Sequence, residues 1–127
     1  MTNKILGIDH GGSRLGLAIS DSMQMIAMPY KKLENSAKLI DEIRAICQAE
    51  EIKKIVVGLP LALSGDDTEQ TKIVREFAND LKKDSELIIE FEDERLTSKM
   101  ATQVFSRDEK DVQAAVIILQ SYLDKNN

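Results

Sequence analysis

Tryptophan is absent from the 127 residues, cysteine and histidine occur once each, and proline occurs twice. The single thiol, Cys47, can build no disulfide framework, and in a reducing compartment it reads as an ordinary core residue. One Cys and one His also cannot supply the nitrogen and sulfur shell of a zinc site. No apolar run approaches the ~20 residues of a membrane helix and no apolar signal stretch is present, so a cytoplasmic protein with no membrane role is expected. Base is in short supply too. Lys plus Arg number 17 against 22 Asp plus Glu, a net charge of −5. That balance excludes a generic DNA-coating protein, whose affinity would come from Lys and Arg neutralising phosphates. What is present is globular in character: 43% hydrophobic and 31% charged residues, in a length that suits one domain, 1–127, with a core needing no staples.

The hydrophobic period changes along the chain. Lys4 to Asp9 and Leu15 to Ser20 read as strands joined in a hairpin, with His10, Gly11, Gly12, Ser13 and Arg14 as the turn. Met23 to Lys31 is a weaker extended stretch, and Pro29 marks it as an edge strand or an irregular one. Leu39, Ile40, Ile43, Ile46 and Cys47 then recur at helical spacing after an Asn35 or Ser36 cap. Ile52 to Leu59, stopped by Pro60, suits a strand buried on both faces of a parallel sheet. Asp66 with Glu69, or Asp67 with Gln70, is spaced as a capping box for a helix carrying Ile73, Val74, Phe77, Ala78 and Leu81. Leu87 to Phe91 is the last strand. A short helix is expected from near Thr97, and a final one follows a Ser106 to Glu109 capping box, with Val112, Ala115, Val116, Leu119 and Tyr122 as its stripe. This order implies an α/β domain: a mixed central sheet with an antiparallel hairpin part and a parallel part, covered by helices on both faces, as in the ribonuclease H-like fold.

Three acidic signals fall at functional positions. Asp9 ends the first strand, and the small residues beside it leave room for a phosphate or hydrated cation. A strand-ending Asp also serves simply to accept hydrogen bonds from its own turn. Glu92, Asp93 and Glu94 follow the last strand, where ligands bind in open α/β sheets. Their mutual repulsion calls for a cation or for Arg95, although acids there also suit a helix N-terminus. Asp111 precedes Ala115 and Ile118 by four and seven residues, on the shoulder of the buried stripe; a first-turn acid favoured by the helix dipole is the plainer reading. In the expected topology Asp9, Glu94 and Asp111 can converge. Hard cations such as Mg²⁺ or Mn²⁺ take such oxygen ligands and support phosphodiester hydrolysis by water. His10 reads as a turn residue.

Four motifs, Asp9 to Asp21 (D-x-G-x-x-R-x-G-x-A-x-S-D), Val56 to Leu61 (VVGLPL), Asp93 to Ser98 (DERLTS) and Asp111 to Leu123 (DVQAAVIILQSYL), occur in an order that resembles the YqgF/RuvX family over nearly the whole length. The resemblance implies a ribonuclease H-like fold related to the RuvC Holliday junction resolvases, and a bacterial cytoplasmic nuclease processing the 5′ end of pre-16S ribosomal RNA. It implies an acidic site of Asp9, one acid of DERLTS, and Asp111, with Mg²⁺ or Mn²⁺. Strand alternation, which puts only one of Asp93 and Glu94 on the Asp9 side, selects Glu94. Arg14, Arg95, Thr97 and Ser98 become phosphate or backbone contacts, while Gly58 and Pro60 shape the strand end. His10 and Gly12 differ from the commoner family choices.

Many relatives carry a longer, strongly basic connection before the final helix, whereas here only Ser106, Arg107, Asp108, Glu109 and Lys110 separate Phe105 from Asp111. Nucleic-acid binding is therefore expected to be weak, salt-sensitive and dependent on metal or a partner such as the ribosomal precursor. Two alternatives stand beside the RNA nuclease. One is a junction-resolving endonuclease acting on structured DNA, and the other is a catalytically weak RNA- or ribosome-binding module. A monomer or a homodimer is expected, since two sites on one junction require a dimer.

Overall fold

The computed structural model describes residues 3–94 and 107–126, with the side chains of residues 107–111 outside the description. The elements are β1 (Ile5–His10), β2 (Arg14–Ser20), β3 (Ala27–Glu34), α1 (Leu39–Ala49), β4 (Lys54–Leu59), α2 (Glu69–Lys82), β5 (Ile88–Asp93) and α3 (Arg107–Lys125). The strands form one sheet in the order β3-β2-β1-β4-β5. β2 pairs antiparallel with β1 and β3, while β4 pairs parallel with β1 and β5. The expected mixed sheet is thus present.

Alternation decides which helix each strand residue meets. Leu6 and Ile8, Leu15, Leu17 and Ile19, and Ile55, Val57 and Leu59 pack with Leu39, Ile43 and Cys47 of α1 and Val74, Phe77 and Leu81 of α2. Ile5, Ala18 and Val56, one residue out of phase, pack with Ala115, Ile118, Leu119, Tyr122 and Leu123 of α3. Two helices therefore cover one face and α3 the other. Gly7 permits the close approach of α3: a Cβ there would lie 2.7 Å from Leu119 Cβ, an atom fixed to the helix backbone. Among the described residues no helix is long and apolar enough to cross a membrane.

Several local expectations are corrected. The third strand begins at Ala27, because the Asp21 carboxylate accepts hydrogen bonds from the amides of Met23, Met25 and Ile26 and folds that stretch into a loop. β3 is an edge strand, and its register slips opposite Leu17/Ala18. The slip puts Ala27 in the α3 core and Leu33 in the opposite one, although they are six residues apart. Neither Asn35 nor Ser36 caps α1, whose N-cap is Lys38. Asn35 is committed instead to the β1–β2 turn, donating to the Gly12 carbonyl and bonding Ser13 O through its own amide. Helix α2 is capped by Thr68, with a reciprocal Thr71 box, rather than by Asp66 or Asp67. Asp67 binds Arg75 through both oxygens, and Thr71 donates to the Pro60 carbonyl, which ties the helix start to the end of β4. The helix expected near Thr97 and the Ser106 cap lie outside the described residues.

Candidate active site

Asp9 is the fifth residue of β1 and alternates with Ile5 and Gly7, so it faces the α3 side of the sheet. Its pairing partner on β2 is Gly16. On β5, Glu90 and Glu92 share that face. Glu90 accepts from the Tyr122 hydroxyl and pairs with Lys54 at 3.2 Å. Glu92, only 5% exposed, accepts from Ser121 Oγ and from Lys125 Nζ, each at 2.7 Å. The cation that relieves the acidic run at Glu92 is therefore Lys125 of α3. Exposed Asp93 alternates to the other side.

Glu94 continues the Glu90, Glu92 series one residue beyond β5, and its amide donates to the Leu59 carbonyl at 3.2 Å. That bond holds the residue against the end of β4. The side chain is buried, and its Oε2 has no hydrogen-bond partner. Gly58 makes the space: a Cβ there would lie 2.6 Å from this oxygen and would also press on Ile118 Cδ1. Burial, then the negative charge of Asp9, then a hydrogen bond to the Asp9 side chain, then Asp93, push the Glu94 carboxyl up to about 8. A hydrogen bond between two carboxyl groups requires one proton, so at neutral pH this pair holds one.

Asp111 is the fifth residue of α3. Ile118 stands over Gly58, Leu119 over Gly7 and the Tyr122 hydroxyl beside Lys54, so α3 runs antiparallel to the parallel strands. The Ala115 carbonyl also borders Gly7. Moving two residues from Gly7 along β1 advances about 6.6 Å. Moving four from Ala115 toward the start of α3 advances about 6 Å in the same direction, which brings the backbone at position 111 level with Asp9. Arg14 starts β2 on the Asp9 side, in phase with Gly16 and Ala18. Arg95, Thr97 and Ser98 lie outside the described residues. His10 turns away: it is buried on the opposite face with its ring 5.0 Å from that of Phe77. Sequence reasoning missed the space made by Gly58 and the clamp of Glu92 by Ser121 and Lys125. The first was signalled by a lone small residue in a run of branched ones.

Among the described residues no group of three or more His, Cys, Asp or Glu is arranged to hold a metal ion. The described part of the site is thus a carboxyl pair with one unpartnered buried oxygen, at the carboxyl end of the central strands. An all-oxygen donor set of this kind suits a hard divalent cation, which would displace the shared proton.

A five-stranded mixed sheet in the order β3-β2-β1-β4-β5, flanked by helices on both faces, is a ribonuclease H-like fold, here with acids at the end of its central strand. The Thermus thermophilus RuvC structure solved in complex with a Holliday junction substrate superposes with a TM-score of 0.57 at 11% identity, covering 98% of this chain and 96% of that one. A second T. thermophilus RuvC structure gives 0.53 at 12% identity, over 97% and 95% of the two chains. At the level of family, the model described as "RuvX: Holliday junction resolvase" matches residues 3–125, and the chain belongs to the RuvX family. A protein of Maridesulfovibrio salexigens named "Putative pre-16S rRNA nuclease" is 42% identical over 131 residues, covering 94% of this chain and 97% of that protein. A protein of Sulfurihydrogenibium sp. with the same name is 38% identical, over 97% and 91%.

Proposed function

We propose that this chain is a metal-dependent nuclease that hydrolyses a phosphodiester bond at the 5′ end of precursor 16S ribosomal RNA, with Asp9, Glu94 and Asp111 holding Mg²⁺ or Mn²⁺. The observation that carries the reading is the Asp9–Glu94 carboxyl pair with its unpartnered buried oxygen. The names of the relatives point to the RNA substrate. When bound, such an ion supplies activation of a water molecule and stabilisation of charge on the leaving oxygen. The chain's own residues do the rest. β1 holds Asp9 rigidly, and the bond from Glu94 to the end of β4 fixes the second carboxylate beside it. Before the ion arrives the pair keeps one proton, which Glu94 must release to become a ligand. Arg14 stands on the Asp9 side to meet phosphate, and Arg95, Thr97 and Ser98 are assigned the same task.

The test is cleavage of a 5′-extended precursor RNA with Mg²⁺ or Mn²⁺. The wild type cuts it, and Asp9→Asn and Glu94→Gln do not; equal cleavage by wild type and Asp9→Asn refutes the reading. Likeness to the RuvC–junction complex favours a second reading, cutting of four-way DNA by the same centre. A junction arm in the same assay decides: efficient junction cutting with inert RNA replaces the first reading with the second.

A further inference from the structure

The row of residues that carries Asp9 across the sheet ends on a cation. Asp9 of β1 stands opposite Gly16 of β2, and Gly16 stands opposite Lys32 of β3. Residues paired across neighbouring strands point to the same face. Lys32 therefore shares the α3 side of the sheet with Asp9, two strand spacings or about 10 Å away. The register slip opposite Leu17/Ala18 decides this. Without it, alternation from Ala27 would turn Lys31 to the Asp9 face; with it, Lys31 stands opposite Leu17 on the side of the other core. No β2 side chain separates Asp9 from Lys32, because Gly16 has none and its neighbours on that face are Arg14 and Ala18.

The charge of Lys32 is not spent within the fold. Of the other lysines on the α3 side, Lys54 pairs with Glu90 and Lys125 with Glu92. Lys32 is exposed and has no ion pair among the described residues. The acid beside it on β3 and on the same face, Glu34, stands opposite Arg14. An exposed ammonium on a flexible stem, held in register with Asp9 in a chain of net charge −5, suits a phosphate contact that the fold itself does not need.

We propose that Lys32 binds a phosphate of the RNA strand beyond the one being cut, so that the substrate crosses β2 from Asp9 to the β3 edge. This rests on the nuclease reading above and adds to it the path of the substrate. That phosphate keeps its charge throughout the reaction, so the contact is equally strong in the ground and transition states. Binding of 5′-extended precursor RNA is read by fluorescence anisotropy in Ca²⁺, which takes oxygen ligands in looser geometry than Mg²⁺, with the RNA recovered intact. Lys32→Gln should raise Kd about threefold to fivefold, the worth of one exposed charge contact, and should reduce the slope of log Kd against log salt by about 0.7. Lys31→Gln, the same charge change on the opposite face, should stay within about 1.5-fold of the wild type at physiological ionic strength. Lys32→Arg should keep most of the affinity, and all three variants should keep the wild-type urea midpoint, since only exposed side chains change. In Mg²⁺ or Mn²⁺, Lys32→Gln should raise KM and leave kcat unchanged. No binding by the wild type, equal loss in Lys31→Gln and Lys32→Gln, an unchanged Kd and salt slope in Lys32→Gln, or a fall in kcat at unchanged KM overturns the proposal. If the wild type binds RNA but cuts none, the nuclease reading fails, and the binding arm in Ca²⁺ still decides on Lys32.

Discussion

Replacing Gly58 by alanine separates the carboxyl pair from the packing around it. The new Cβ would stand 2.6 Å from Glu94 Oε2, whereas ordinary contact begins at 3.4 Å. The oxygen must therefore retreat by about 0.8 Å, and Ile118 Cδ1 must also move. Overpacking of this kind costs about 1–3 kcal/mol. Both displaced atoms end flexible side chains, and alanine restricts the unfolded chain, worth about 0.4–1 kcal/mol in the other direction. The net loss should be about 1 kcal/mol, read by urea denaturation. Cleavage should suffer more, because a catalytic group misplaced by about 1 Å can cost ~10²-fold in rate. Adding Ile118→Val, which removes the crowded methyl but leaves the carboxylate displaced, should recover stability relative to the sum of the single variants without restoring cleavage. Wild-type cleavage by Gly58→Ala, or full rescue by Ile118→Val, would show that the Gly58 gap does not set the position of Glu94.

Three further outcomes follow from the same geometry. Gly7→Ala should destabilise the fold by at least about 2 kcal/mol, more than Gly58→Ala, since Leu119 Cβ cannot swing aside and α3 itself must move; equal denaturation midpoints for the two variants would contradict this. Glu94 titrates at about 8 in the fold against an ordinary 4.5, so the folded state binds the proton more tightly than the unfolded chain. Stability without added metal should then fall as pH rises from about 4.5 to about 8, by at most about 1.4 kcal/mol per unit, and Glu94→Gln should remove that slope. Lys125→Met should leave Glu92 buried with Ser121 as its remaining partner. The exposed ammonium limits the loss to about 1–2 kcal/mol, and an unchanged thermal midpoint would show that the clamp between β5 and α3 is idle.

Much of this arrangement is written in simple periodicities. Alternation along β1 and past β5 places Asp9 and Glu94 on one face, while the 3.6-residue period of α3 aligns position 111 with Ala115 and Ile118. These survive because a buried face tolerates no slip of register. Capping was less legible: Ser, Asn, Asp and Thr all cap helices, and the choice of Thr68 over Asp66 or Asp67 depends on the Pro60 carbonyl and on Arg75, both distant in sequence. The start of β3 depends on three amides captured by Asp21. Whether the acids Glu92, Asp93 and Glu94 answer to a cation or an ion pair could not be read locally either. Lys125, thirty-three residues away, takes Glu92 and leaves Glu94 to Asp9.

The central claim is that Asp9, Glu94 and Asp111 form one cation centre for phosphodiester hydrolysis. Its most direct test is calorimetric titration of Mn²⁺ near pH 7 into the wild type and into Asp9→Asn, Glu94→Gln and Asp111→Asn, in two buffers of different ionisation heat, beside cleavage of precursor RNA by the same preparations. Binding should release about one proton per ion in the wild type, each variant should lose most of its affinity and its cleavage, and Glu94→Gln should release none. Mn²⁺ affinity and RNA cleavage that persist unchanged in all three variants would contradict the account.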